Sequence, residues 1–293
     1  MTAADAEAAV LRGAGTLAAR IGLGHVEPRV IGRATNLIVA LEPTPWVARI
    51  ATGTVPIRDP WDFAWREVAL ARHLAAHQAP IVAPAPESLA GPHRQDGQVI
   101  SLWQRVEVQG ALVDPKLAGR DLATCHAVLR GYRGPGRENG FLAETAALLA
   151  HPQVQARARA DDRARVADHL ARLGERLRAQ GPAVQHLHGD AHPRNVLNTT
   201  EGPRWSDWED TVIAPREWDL ACLVASARSA GREVAWSQAA LAAYGEHNAG
   251  LLDLCVHLRV LFGVAWLWLL AGEHPRRQQA LADRLAWIRE KNP

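Results

Sequence analysis

The stretch His186-Leu187-His188-Gly189-Asp190-Ala191-His192-Pro193-Arg194-Asn195 decides how this chain is read, together with Ser206-Asp207-Trp208 shortly after it. Four residues separate Asp190 from Asn195. A carboxylate at Asp190 can orient an attacking hydroxyl and accept its proton. The Asn195 amide offers a neutral oxygen to a metal, and Asp207 a charged one. Oxygen ligands of this kind suit a hard cation such as Mg²⁺, which offsets the negative charge on phosphate oxygens. The residue types and their spacing therefore point to phosphoryl transfer.

The same stretch admits a zinc hydrolase. His186, His188, Asp190 and His192 alternate, so on an extended strand they would share one face and could grip zinc. Gly189 and Pro193 interrupt a regular strand, and Asn195 and Asp207 have no part in such a site. A loop of polar residues without chemistry is the third reading, and it leaves the spacing unexplained.

Composition bounds the remainder. The 293 residues are enough for two lobes around a substantial core, and 33 basic against 31 acidic residues give a net charge of +2. That balance argues against nucleic-acid binding through an extended basic face. Cys125, Cys222 and Cys255 are odd in number and widely spaced, as expected of buried thiols in a reducing cytoplasm. Met1 to Val10 lacks the basic-then-apolar order of a secretory signal. The most apolar run, Val260 to Gly272, falls short of the roughly 20 residues of a membrane-spanning helix and reads as a core helix. We therefore expect no membrane partner.

In chain order, Asp5 to Ala19 reads as a helix ended by Gly22 and Gly24. His25 to Ile31, Asn36 to Leu41 and Trp46 to Ala51 read as strands, with turns at Gly32 to Thr35 and Glu42 to Pro45. The first turn can fold over phosphates, using the amides of Ala34, Thr35 and Asn36 and the Thr35 hydroxyl; an ordinary hairpin is the other reading. Lys116 and Lys291 are the only lysines and lie elsewhere, so Arg49 is the candidate phosphate-binding cation of the third strand. Period two puts Val47 on the same face, where it can line a base pocket. The helix from Asp62 to His77 has an apolar stripe of Phe63, Leu70 and Leu74 with Glu67 inside it. A carboxylate there demands a cation, which Arg49 can supply; Arg66 or Arg72 could do so instead.

Beyond a linker at Pro80 to Pro86, Glu87 to Ala90 and Gln98 to Trp103 read as strands joined by a loop. The backbone of Gln104 to Val106 can then pair with an adenine edge. From Asp114, a helix cap, the chain reads as nearly all helical: Asp114 to Arg130, Glu138 to Ala150 and Arg157 to Gln180, the last with a solvated, charge-laced face. Asn195 to Asn198 and Arg204 to Asp207 read as a hairpin, which places Leu197 as a floor for the adenine.

The run His188 to Leu197, then Ser206-Asp207-Trp208-Glu209, then Pro215-Arg216-Glu217-Trp218-Asp219-Leu220-Ala221, resembles the aminoglycoside phosphotransferase and choline kinase-like family. The resemblance spans about Gly32 to Ala221, with its strong motifs in the second half. It implies an α+β, two-lobed protein-kinase-like fold and Mg²⁺-dependent transfer of the terminal phosphate of ATP or GTP to a small-molecule hydroxyl. It makes Asp190 the catalytic base, Asn195 and Asp207 the metal ligands, and Asp219 a structural acid bracing the loop. Two departures stand out: arginine at 49, where the family often has lysine, and a phosphate loop with one glycine. They leave room for a pseudokinase that binds nucleotide without turnover.

The expected organisation is an N-terminal nucleotide-binding lobe at residues 1–103, a hinge at 104–110 and a helical lobe at 111–293. His192 and Arg194 flank the base and can touch phosphate or acceptor. Glu209, Asp210 and Glu217 can receive amino groups of a cationic acceptor or serve as caps and ion pairs. Trp236, Trp266, Trp268 and Trp287 read mainly as core rings. The acceptor (antibiotic, amino sugar or amino alcohol) and the oligomeric state are not fixed by these residues.

Overall fold

The computed structural model describes residues 3–33, 35–52, 57–272 and 274–291. Ala34, one of the amides expected to approach phosphate, lies outside them. Backbone contacts group the chain into two compact units. The first contains residues 1–111, 132–135 and 197–210; the second contains 112–131, 136–196 and 211–293.

In the first unit, α1 (Ala3–Arg20) precedes the strands β1 (Glu27–Arg33), β2 (Asn36–Glu42) and β3 (Trp46–Ala51), then α2 (Pro60–Ala76) and α3 (Glu87–Ala90), then β4 (His93–Gln95) and β5 (Gln98–Gln104). The five strands form one antiparallel sheet in the order β1-β2-β3-β5-β4. Leu17 of α1, Leu70 and Leu74 of α2, and Val39, Ile50, Ile100 and Leu102 of the sheet are all buried. Each such side chain contributes about 1.5–3 kcal/mol of burial. Helix α2 starts where Asp59 accepts the Trp61 N–H at 3.0 Å, with Pro60 in the first turn.

Glu87 to Ala90 is a short helix, not the expected strand. Pro86 opens it, and Gly91, at φ +84°, closes it. A Cβ at Gly91 would stand 2.9 Å from the His93 nitrogen and 3.0 Å from the Ile100 oxygen, so the chain can pass there only as glycine. The residues expected to be a loop instead make β4, which pairs with β5 across Asp96 and Gly97, at φ +49° and +77°. An Asp-Gly pair with both φ positive is the turn that matches strand twist.

The second unit is helical: α4 (Pro115–Leu129), α5 (Gly140–Ala150), α6 (Pro152–Arg157), α7 (Ala160–Gln180), α8 (Glu217–Ala230), α9 (Val234–Tyr244), α10 (Ala249–Leu270) and α11 (Pro275–Glu290). A small sheet pairs β6 (Gln185–Leu187) with β9 (Val212–Ala214). The hairpin of β7 (Val196–Thr199) and β8 (Gly202–Trp205) lies in the first unit from Leu197 onward. The helix expected from about Arg157 to Gln180 forms as α7 from Ala160, and a separate short helix, α6, precedes it. The chain is extended at Ala158 and Arg159, and the Arg157 guanidinium donates to the carbonyls of Trp268 and Leu269, which ties the break to the end of α10.

Helix α10 packs against α5, α6, α7, α8 and α11. It begins at the Asn248 cap, well ahead of the apolar run at Val260, and so reaches 22 residues, longer than that run suggested. By length and composition it could cross a membrane, yet 67% of its apolar window is buried inside the protein.

Candidate active site

The first unit carries an ionic cluster centred on Arg49. Strand β3 projects Arg49 towards α2, where its Nη1 lies 2.6 Å from Glu67 Oε2. Its Nη2 reaches Asp207 Oδ1 at 2.5 Å and Glu209 Oε2 at 2.8 Å. Glu209 also accepts from Asn36 Nδ2 at 3.0 Å, and Arg58 pairs with Asp210. Arg66, the rival partner for Glu67, pairs with Asp62 at 3.0 Å, and Arg72 with Glu87.

Burial works against the Arg49 charge, but Glu209, Glu67 and Asp207 outweigh it and hold the guanidinium protonated. Burial pushes the Glu67 carboxyl up to about 8; Arg49 opposes the shift, while Glu209, Asp207 and Asp210 add to it. Even with Glu67 protonated, carboxylates outnumber cations: Asp207, Glu209 and Asp210 stand against Arg49 and Arg58. Asp207 sits at φ +65°, a backbone conformation aspartate tolerates better than most residues, and keeps its side chain 41% exposed. Asp207 thereby offers an accessible carboxylate oxygen, the donor type a hard divalent cation takes.

The second unit carries the loop between β6 and β7. Asp219, fully buried at the start of α8, accepts the N–H groups of His188 at 2.9 Å and Gly189 at 2.8 Å. His126 Nε2 lies 2.9 Å from the same carboxylate. Gly189, at φ +88°, turns the chain, and its carbonyl accepts from Trp218 Nε1 at 2.9 Å. Trp218 is itself stacked on Phe141, with ring centroids 3.6 Å apart. Asn195 Nδ2 donates to the Asp190 carbonyl at 2.9 Å, and the His192 N–H to the same oxygen at 2.8 Å. The loop is thereby held at both ends, with the Asp190 carboxylate 19% exposed. Arg259 of α10 pairs with Asp190 Oδ1, and His192 Nε2 lies 3.5 Å from Oδ2. Burial pulls the His192 pKa down, with Arg259, His188 and Arg194 adding and Asp190 opposing.

The alternating histidines do not form a zinc-binding face. Strand β6 ends at Leu187, and the turn at Gly189 breaks the alternation. Among the described residues no group of three or more His, Cys, Asp or Glu side chains is arranged to hold a metal ion.

The other expected site residues fall as follows. Val47 is buried in β3, and Leu197 is half-buried in β7. The Thr35 carbonyl accepts from Thr52 Oγ1 at 3.0 Å. The N–H of Gln104 is taken by Ala83 O at 2.9 Å and that of Arg105 by Pro45 O at 2.8 Å, whereas among the described residues no hydrogen bond is made by the N–H of Val106. Arg194 is exposed, its N–H donating to His192 Nδ1 at 3.1 Å. Glu217 is buried and accepts the Asn248 N–H at 3.0 Å. Arg259, Arg58 and His126 had drawn no attention in the sequence, and Asn36 only for its backbone amide. Arg259 lies 69 residues from Asp190. No local spacing could have announced it.

Fold and site together define a protein-kinase-like phosphotransferase architecture. Solved structures share it: the choline kinase LicA from Streptococcus pneumoniae is 14% identical, with 93% of this chain and 98% of that chain covered at a TM-score of 0.66. The microcompartment-associated aminopropanol kinase is 16% identical, with 90% and 91% covered at 0.68. The amicoumacin kinase hAmiN, in complex with AMP-PNP and Ca²⁺, is 14% identical, with 91% and 89% covered at 0.66. Comparison with curated protein sequences gives no match. The chain belongs to the phosphotransferase enzyme family, whose family model matches residues 29–254.

Proposed function

We propose that this phosphotransferase moves the terminal phosphate of ATP or GTP to a hydroxyl of a small molecule, with Mg²⁺, in the cytoplasm. The carrying observation is the loop clamped by Asp219, which holds the Asp190 carboxylate on a rigid, hydrogen-bonded backbone. The acceptor oxygen attacks the terminal phosphorus, the bond to the bridging oxygen breaks, and the nucleoside diphosphate departs. Asp190 orients the attacking hydroxyl and takes its proton. Arg49, fixed by Glu67, meets phosphate; the Val106 N–H, Val47 and Leu197 meet the base. Asn195 and Asp207 would hold the metal, which supplies positive charge against the developing phosphate charge. A small acceptor is in keeping with the relatives that phosphorylate choline, aminopropanol and amicoumacin. Most of the rate comes from positioning and electrostatics. The buried thiols Cys125, Cys222 and Cys255 suit a reducing compartment.

The test is mass spectrometry of hydroxylated compounds incubated with protein, Mg²⁺ and ATP or GTP, beside Asp190→Asn. We expect a phosphorylated product whose formation falls about 10²–10⁴-fold in the variant. Equal turnover by the variant would remove Asp190 from the chemistry. Nucleotide binding without product across a broad panel would favour the pseudokinase.

A further inference from the structure

The surroundings of Asp190 are cationic. Arg259 sits on one carboxylate oxygen. Four residues further along α10 is Gly263, where the missing side chain leaves bare helix surface. The guanidinium of Arg284, from α11, lies over that surface, its Cζ and Nε 3.5 Å from where a Cβ at Gly263 would stand. Residues four apart share a helix face, so two guanidinium groups neighbour each other on one side of α10. Arg259 is engaged with Asp190. Among the described residues Arg284 makes no hydrogen bond or ion pair; the adjacent Asp283 goes to Arg232 at 2.8 Å instead.

Arg284 is half-buried. Burial, reinforced by Arg259 and Arg232, brings its pKa down to about 10 against the pull of Asp190 and Asp283. A shielded guanidinium beside a second one is costly to hold without an anion. Its planar fork matches a carboxylate or a phosphate. The acids that might have welcomed a cationic acceptor are engaged elsewhere: Glu209 with Arg49 and Asn36, Asp210 with Arg58, Glu217 with the Asn248 N–H.

We propose that Arg284 and Arg259 form an anion subsite beside Asp190, and that the acceptor hydroxyl belongs to a molecule carrying a carboxylate or phosphate. This rests on the phosphotransferase reading above and narrows its acceptor. A cationic acceptor without an anionic group meets like charge at this place.

Two measurements on the full chain test it. The first is calorimetric titration of malate and of inorganic phosphate into protein saturated with AMP-PNP and Mg²⁺, comparing wild type, Arg284→Gln and Arg284→Lys. Binding should weaken about tenfold or more in Arg284→Gln and partly recover in Arg284→Lys, the loss expected for a charge-assisted hydrogen bond. Equal binding in wild type and Arg284→Gln overturns the subsite. The second is turnover of matched acceptors that differ only in the anion, a hydroxy acid against its amide and a sugar phosphate against its sugar. The anionic member should be preferred, and Arg284→Gln should raise its KM about tenfold while kcat and the KM for ATP hold. A raised KM for ATP instead would assign the cation to the nucleotide and overturn the acceptor assignment, as would preference for the uncharged or amine-bearing member. Absence of transfer to every acceptor, with the calorimetric difference intact, would break the phosphotransferase reading and leave the anion subsite standing.

Discussion

The ionic cluster at Arg49 and the one at Asp190 have opposite imbalances. Around Arg49 the carboxylates of Glu67, Asp207 and Glu209 converge on one guanidinium. Around Asp190, one carboxylate meets Arg259 directly and lies in the field of Arg284. A cluster short of positive charge is prepared to take up a cation, and a cluster short of negative charge to take up an anion. Burial sets how much each imbalance costs: the Arg49 and Glu67 side chains are 11% and 1% exposed, those of Arg259 and Asp190 16% and 19%.

The largest effect should therefore follow from deleting the cation where it is scarce. Arg49→Met leaves three carboxylates facing one another, and the loss of one member of a buried pair costs about 3–5 kcal/mol. The midpoint of urea unfolding should fall accordingly, and Glu67→Gln in the same chain should recover part of the loss. An unchanged midpoint for Arg49→Met would mean that this cluster is solvated and does not differ in kind from the one at Asp190.

How far these two regions could be read in advance follows from how local their signals are. Asp190, Asn195 and Asp207 lie close together in the sequence, so spacing alone singled them out as candidates. The Arg49 to Glu67 pair was also legible, because a carboxylate in the apolar stripe of α2 requires a partner and β3 offers one. Glu209 was noticed only for its charge; that it would complete the Arg49 cluster depends on the turn at Asp207, whose left-handed backbone no residue preference fixes. Arg259 and Arg284 come from α10 and α11, and only tertiary packing brings them to Asp190. The hairpin at Asp96-Gly97 carried a recognisable turn signal. The break between α6 and α7 did not, since Ala158 and Arg159 are ordinary helix formers and the interruption is held by carbonyls at the far end of α10.

A buried pair without net charge separates burial from imbalance. His169 Nδ1 and His257 Nε2 are 3.1 Å apart, with Trp287 packed edge-on to His257. Burial, helped by His169, Lys291 and Arg176, lowers the His257 pKa to about 4. The unfolded chain takes up its proton near pH 6.5, so it binds more protons than the native state below that point. Stability is then whole above pH 6.5 and declines as pH falls to about 4, by up to about 3 kcal/mol. Urea titrations at pH 7 and pH 4.5 should show this slope, and His257→Leu should flatten it. A slope that His257→Leu leaves unaltered would place the acid sensitivity elsewhere.

The cation-rich side predicts a smaller change. Arg259→Met removes the direct partner of Asp190, but that carboxylate retains solvent and its place near Arg284. We expect a stability loss of about 1 kcal/mol, in the range of partly exposed pairs. A loss comparable to that of Arg49→Met would erase the contrast between the clusters. A gain in stability would sharpen it, because it would mean that two neighbouring guanidiniums repel more than one of them gains from Asp190.

The smallest effect belongs to a pair with the same charges and almost no burial. Asp168 and Arg172 stand four residues apart on α7 and form an ion pair whose side chains are 59% and 47% exposed. Water already solvates both groups, so pairing them gains little over leaving them apart, and ordering two long side chains offsets part of that gain. Asp168→Ala should lower the unfolding free energy from urea titration by less than about 0.5 kcal/mol, and raising the salt concentration should abolish even that. The residue types match those at Arg49 and Asp190; only the surroundings differ. A loss above about 1 kcal/mol would show that this face of α7 is not merely solvated. The graded series from Arg49 through Arg259 to Asp168 would then have to be explained by contacts particular to each residue rather than by burial.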